Sequence, residues 1–229
     1  MQTKGKRPLR RRLTPGSFFL LVAFSVCVAR DAPARTLAAA HLEAETPLAA
    51  ARRETRVSSW AASLQPIVVT SASTGATAPI RLYDAAGEID EDARTSFERV
   101  ASREPEPHVL SLRVEQLVFK AAYHFGAERL SVVSGWRGHA GKHSTGEALD
   151  FRLPGLRPAV VAAYLRGLPR VGVGIYTHPG TQFVHIDVRE PSFYWIDASP
   201  PGVHWRERQI GDRGMAKRDD TYAPAMDLP

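Results

Sequence analysis

Residues 183–189 read FVHIDVR, and this short run carries two messages on alternating positions. In a strand, side chains at period two share a face. Val184, Ile186 and Val188 then form a β-branched apolar face suited to a core. Phe183, His185, Asp187 and Arg189 form the opposite face. His185 and Asp187 fall about 7 Å apart along such a strand, a spacing suited to two groups that address one ion or one water. A second stretch, Ser134–Asp150, reads SGWRGHAGKHSTGEALD. It adds His143 and Asp150, with Gly146 between them to turn the backbone. Ala148 to Leu153 continues as a strand, with Asp150 on one face beside Ala148 and Arg152. A His, a carboxylate and a second His from a neighbouring strand make three ligands, and a catalytic zinc holds three ligands and keeps a fourth position open for water.

Around these two stretches the periodicity predicts an α+β domain over residues 60–200, with strands and helices in no βαβ order. Residues between Trp60 and Asp84 contain two β-rich runs around Thr74-Gly75-Ala76 and predict a hairpin. Asp90 to Val100 has the acidic first turn of a helix. His108 to Phe125 has the strongest helical spacing, with Gly126 as its stop. Leu130 to Val133 predicts the strand that delivers Ser134-Gly135-Trp136-Arg137. Pro158 to Leu168 predicts a helix with Pro in its first turn. Arg170 to Tyr176 and Phe183 to Arg189 predict paired strands around the loop 177–182. Residues 201–229 are polar and aperiodic and are assigned to a tail.

Three features invite over-reading. Gly172-Val173-Gly174 is a G-x-G, but no helix follows it, which argues against a dinucleotide site. The acids from Glu88 to Asp92 lack the alternation of a calcium loop and suit a solvated helix start. Phe193, Tyr194 and Trp195 suit packing under the C-terminal segment better than a glycan platform.

Of 229 residues, 44% are apolar and 24% charged, ordinary for a globular chain. The net charge of +6 resides wholly in Lys4, Lys6, Arg7, Arg10, Arg11 and Arg12. The rest of the chain is balanced, so there is no basic footprint for nucleic acid. That basic run, followed by about 13 mostly apolar residues up to Ala29, has the pattern of an export signal. The apolar run is shorter than the roughly 20 residues of a membrane span. Residues 1–29 are therefore read as a signal peptide and 30–59, rich in Ala, Arg and Glu, as a flexible linker. The expected location is periplasmic or secreted, with a membrane anchor as the alternative if the signal stays attached. The lone Cys27 lies inside the signal, so no cysteine nucleophile, disulfide or thiolate ligand is expected afterwards.

Taken together, SGWR, HSTGEALDF, GVGIY, FVHIDVR and the following YW resemble the murein endopeptidase K-like branch of the D-Ala-D-Ala metallopeptidases. These are zinc peptidases of bacterial cell-wall peptides, in the superfamily that also holds lysostaphin-type enzymes and the hedgehog signalling domain. The hallmarks are S-G-[YW]-R, then H-x6-D, then a late H-x-[HD] on a strand. The resemblance spans about residues 62–196 and is dense only from Val132 to Trp195. It implies a small central antiparallel sheet flanked by helices, a monomer, and peptidoglycan peptides as partner and substrate. It implies His143, Asp150 and His185 as zinc ligands, Arg137 as support for a substrate carboxylate or oxyanion, and Ser144-Thr145-Gly146 as the turn between the first two ligands. Two departures stand out. The carboxypeptidase branch has a Glu three residues before its last His, and this chain has Gln182. Asp187 is then the candidate general base, or else an anchor for His185 or a ligand. The interval between Arg137 and His143 is also short, and His139 within it is a candidate substrate contact. Three functions remain in play: a cross-link endopeptidase, a carboxypeptidase, and a zinc-containing cell-wall binding module without catalysis.

Overall fold

A computed structural model describes residues 60–104, 108–138, 141–203 and 207–229. The signal and linker assigned to 1–59, and His139, lie outside the described residues. After a helical turn at 60–63 the chain forms β1 (Ile67–Ser71), β2 (Thr77–Ile80), α1 (Glu91–Ala101), α2 (Leu112–His124), β3 (Arg129–Ser134), β4 (Ala148–Arg152), α3 (Pro158–Leu165), β5 (Val171–Tyr176), β6 (Phe183–Val188), β7 (Phe193–Asp197), β8 (Glu207–Gln209) and α4 (Met215–Asp220).

All eight strands join one sheet in the order β2-β1-β3-β4-β6-β5-β7-β8. The sheet is mixed, because β1 pairs parallel with β3 and β5 parallel with β7. This overturns the expected small antiparallel sheet flanked by helices. Two things enlarge it. The first hairpin joins edge-on through β1 instead of packing separately. Phe193–Asp197, where the sequence predicts only packing of Phe193, Tyr194 and Trp195 under the C-terminal segment, extends beside β5 as a further strand.

In-register pairing places Val69 and Leu130, Val132 and Phe151, Leu149 and Ile186, and Val173 and Tyr194 on one face. All are buried in a single cluster with residues of α1, α2 and α3, among them Phe97, Leu117, Val118, Val161 and Leu165. Apolar burial on this face, at about 25 cal/mol per Å², is the main stabilising term of the domain. Helix α1 starts at Asp90, whose carboxylate accepts from the Ala93 N–H at 2.9 Å. This N-cap satisfies a donor that the first turn leaves unpaired.

The C-terminal residues are not a tail. Strand β8 adds to β7, and α4 and the 3-10 turn Pro224–Asp227 return to the core. Asp219 accepts from Ser192 N–H at 2.8 Å, Ser192 Oγ at 2.6 Å and Arg170 N–H at 2.6 Å. Asp227 accepts from Arg113 Nε at 2.9 Å and the Tyr222 hydroxyl at 2.8 Å. Charge-assisted hydrogen bonds, with scattered apolar contacts from Ile210, Met215 and Leu228, fasten this arm, and such contacts leave no periodic pattern.

Candidate metal centre

The second face of the sheet carries the polar alternates of the same strands. Asp150 on β4 stands directly across from His185 on β6, and Gly174 on β5 from His185 on the other side. The third member, His143, sits on the turn between β3 and β4. Three contacts hold that turn. Ser111 N–H donates to the Gly146 carbonyl at 2.8 Å, Trp136 Nε1 donates to the Ser144 carbonyl at 3.0 Å, and the Arg137 N–H donates to the His143 carbonyl at 3.4 Å. Gly146 has φ +71°, and a Cβ there would lie 2.3 Å from the Val109 carbonyl oxygen. Only glycine meets both demands. A bulge in β3 between Val132 and Ser134 shifts the register so that Ser134 pairs with Asp150, re-aiming the strand end towards the site.

The protonation of both rings follows from their partners. His143 Nδ1 lies 2.7 Å from the Gly135 carbonyl, which only accepts, so Nδ1 carries the hydrogen. His143 Nε2 lies 2.7 Å from an Arg137 terminal nitrogen, which only donates, so Nε2 presents a lone pair. His185 Nε2 donates to Asp187 Oδ2 at 3.0 Å, which directs Nδ1 towards Asp150 Oδ1 at 2.8 Å and His143 Nε2 at 3.2 Å. His143 Nε2 is 3.4 Å from the same Asp150 oxygen. These three residues form a group that can hold a metal ion.

The donor set fits such an ion on chemistry and on spacing. Two imidazole nitrogens and a carboxylate oxygen converge, and each ring is oriented by a hydrogen bond at its far nitrogen, as metal-bound histidines require. Ligand atoms on a tetrahedral zinc, at about 2.0–2.1 Å from it, lie roughly 3.3 Å from one another, close to the separations seen. Electrostatics point the same way. Burial works against ionised Asp150, but the hydrogen bond from His185 and the positive charge beside it hold it well below the usual carboxylate range. Burial also works against charged His185, but hydrogen bonds to Asp150 and Asp187 outweigh it and push the ring up to about 9. The site favours a positive charge between these atoms, whether proton or metal.

The remaining expected residues are placed as follows. Arg137 joins the cluster, donating to both His143 and Asp150. Asp187 sits behind His185, not among the ligand atoms. Its side chain is fully buried, with Oδ2 on His185 and Oδ1 taking Arg189 Nε at 2.5 Å. Burial opposes its charge, but hydrogen bonds from His185 and Arg189 hold its pKa down. Both of its oxygens are thereby engaged. Gln182, with φ 42°, lines a neighbouring cavity, and its carbonyl accepts from Arg152 Nε at 3.0 Å.

Three residues that the sequence does not assign to the site also shape it. Gly172 and Gly174 are the floor of the site: a Cβ at Gly172 would lie 2.2 Å from Asp187 Oδ2, and one at Gly174 would lie 2.5 Å from the Trp195 ring. Trp195 lies against His185, with ring centroids 5.0 Å apart. The G-x-G spacing in a strand was the available signal, since it strips every other side chain from one face. No family model, curated protein or solved structure matches the chain.

Proposed function

We propose that this protein is an exported zinc peptidase that hydrolyses peptide bonds of bacterial peptidoglycan, with cross-links as its target. The observation that carries the reading is the convergence of His143 Nε2, Asp150 Oδ1 and His185 Nδ1, with each ring tied from behind. The SGWR, H-x6-D and H-x-D segments that resemble the murein endopeptidase K-like branch supply these residues and support the substrate class. Zinc, when bound there, supplies a polarised scissile carbonyl and a more acidic water. The chain's own residues do the rest. His143, Asp150 and His185 hold the ion. The Gly135 carbonyl and Asp187 fix which ring nitrogen faces it. Arg137, 43% exposed at its side chain, offers a planar cationic fork to the substrate oxygen that gains charge.

A non-catalytic cell-wall binding module is the second reading. The engagement of Asp187 by His185 and Arg189 favours it, as does glutamine at position 182, because neither supplies a free carboxylate as base. Metal analysis of purified protein, paired with chromatography of muropeptides before and after incubation, separates the two. Bound zinc with new peptide products that vanish on chelation is the expected result. Bound zinc without products supports the binding module, and cleavage undiminished by metal removal excludes the zinc peptidase.

A further inference from the structure

A cleft of about 370 Å³ opens beside the ligand cluster, with Asp150 and Arg137 in its wall. Two more guanidinium groups line it, those of Arg103 and Arg152. Arg152 spends its donors on backbone: Nε on the Gln182 carbonyl at 3.0 Å and a terminal nitrogen on the Thr181 carbonyl at 2.6 Å. Arg103 donates to the Val133 carbonyl at 2.9 Å. Carbonyls orient a guanidinium but do not cancel its charge. Among the described residues neither arginine forms an ion pair with a carboxylate, whereas Arg137 does. Arg152 is moreover partly buried. Holding an uncompensated cation in a cleft costs free energy that an incoming anion recovers. Apolar and aromatic side chains line it as well: Tyr176 and Phe183 stack with centroids 4.2 Å apart, the Arg152 guanidinium lies 6.0 Å over the Phe183 ring, and Pro200, Pro201 and Val203 stand in the same lining with the carboxylate of Asp197. Arg152 also borders a neighbouring cavity of about 500 Å³, so it is shared by both.

We propose that Arg152, with Arg103 at the mouth, is a specificity device selecting peptides that carry a free carboxylate beside the bond held at the ligand cluster. The apolar side chains of the lining take the aliphatic stem of the same residue. This deepens the peptidase reading and rests on it for the peptide class, but its test is one of binding. A guanidinium fork pairs a planar carboxylate with two parallel hydrogen bonds and gives an amide no charge to pair with.

The test uses the zinc-loaded full chain and two probes: a cell-wall stem peptide with free side carboxylates, and the same peptide with those carboxylates converted to amides. Dissociation constants come from titration calorimetry. The acid form is expected to bind at least ~10-fold tighter to wild type, the range of a charge-assisted hydrogen bond. Arg152→Gln should lose about that factor for the acid form and change the amide form by less than about twofold. Arg152→Lys should keep part of the preference, because charge remains and the fork is lost. Arg103→Gln should lose less than Arg152→Gln. Should Arg152→Gln fail to fold, the wild-type acid-to-amide ratio and Arg152→Lys still decide. Equal binding of both peptides by wild type, binding of neither, or equal weakening of both by Arg152→Gln overturns the proposal. Selective binding without cleavage retires the peptidase reading and leaves this inference standing. Cleavage together with equal binding does the reverse.

Discussion

Each face of the sheet has a buried carboxylate, and the two behave in opposite ways. Glu115, on α2 in the helix layer, is wholly buried. Burial pushes its pKa up to about 8 even though Arg94 Nε donates to it at 2.8 Å, because one cation does not offset burial and the nearby Glu98. Asp150, on the other face, is as deeply placed and is held well below the ordinary range, because the His185 imidazole hydrogen-bonds to it. Burial is common to both, so it does not decide the charge state. The partners decide it. One carboxylate, buried beside a single guanidinium and a second carboxylate, tends to keep its proton. The other sits in a cage of donors and keeps its charge, and a cation-binding centre needs the second arrangement.

The largest expected effect comes from removing the charge of Asp150. Asp150→Asn should abolish stoichiometric zinc binding and lower unfolding free energy by about 3–5 kcal/mol, since it strands charged partners in a buried network. Glu115→Gln should cost far less and leave zinc content unchanged. Urea titration with metal analysis of both variants checks the pair, and equal losses would erase the contrast between faces. Next, Gly172→Ala puts a methyl group where Asp187 and Arg189 lie. It should destabilise by about 1–3 kcal/mol and weaken zinc binding, whereas the Val173 side chain one residue on lies in the core of the opposite face. Asp187→Asn should weaken zinc binding about 10–100-fold, as loss of a ligand's supporting group does, with the domain still folded. Unchanged affinity with lost turnover would instead make Asp187 the base.

The most graded effect is with pH. Glu115 is raised above its unfolded value, so the folded state binds a proton that the unfolded state releases. Its contribution is complete below the ordinary glutamate range and is lost as pH rises through about 8. The wild-type urea midpoint should fall over that window, and Glu115→Gln should flatten the fall. A Glu115→Gln profile parallel to wild type would remove the assignment.

How much of this was legible from sequence differs by face. Strand parity in FVHIDVR assigned Val184 and Ile186 to the core and His185 and Asp187 to the site, because alternation is a property of the strand backbone. The H-x6-D spacing likewise pointed to His143 and Asp150, which the fold brings together. Parity said nothing of sheet order, so the mixed eight-stranded arrangement was missed. It depends on edge pairings of β1 with β3 and of β7 with β5, which leave no periodic mark. The role of Asp187 was left open because second partners such as Arg189 and the neighbouring glycines act across strands. The C-terminal arm was missed for a related reason: Asp219 and Asp227 hold it by hydrogen bonds, which hydrophobic periodicity does not register.

Two of the three ligand residues belong to central strands β4 and β6, and the third rides on the 141–147 turn. This division has a kinetic meaning. Amides of β4 and β6 are shielded by neighbours on both sides and exchange with solvent through the rarest, most global openings, whereas a surface turn opens locally. An ion held by all three residues therefore has one hinge through which to leave. Its residence time is set by how often His143 swings out, and the contacts of the turn with Ser111 and Trp136 are the latch on that clock.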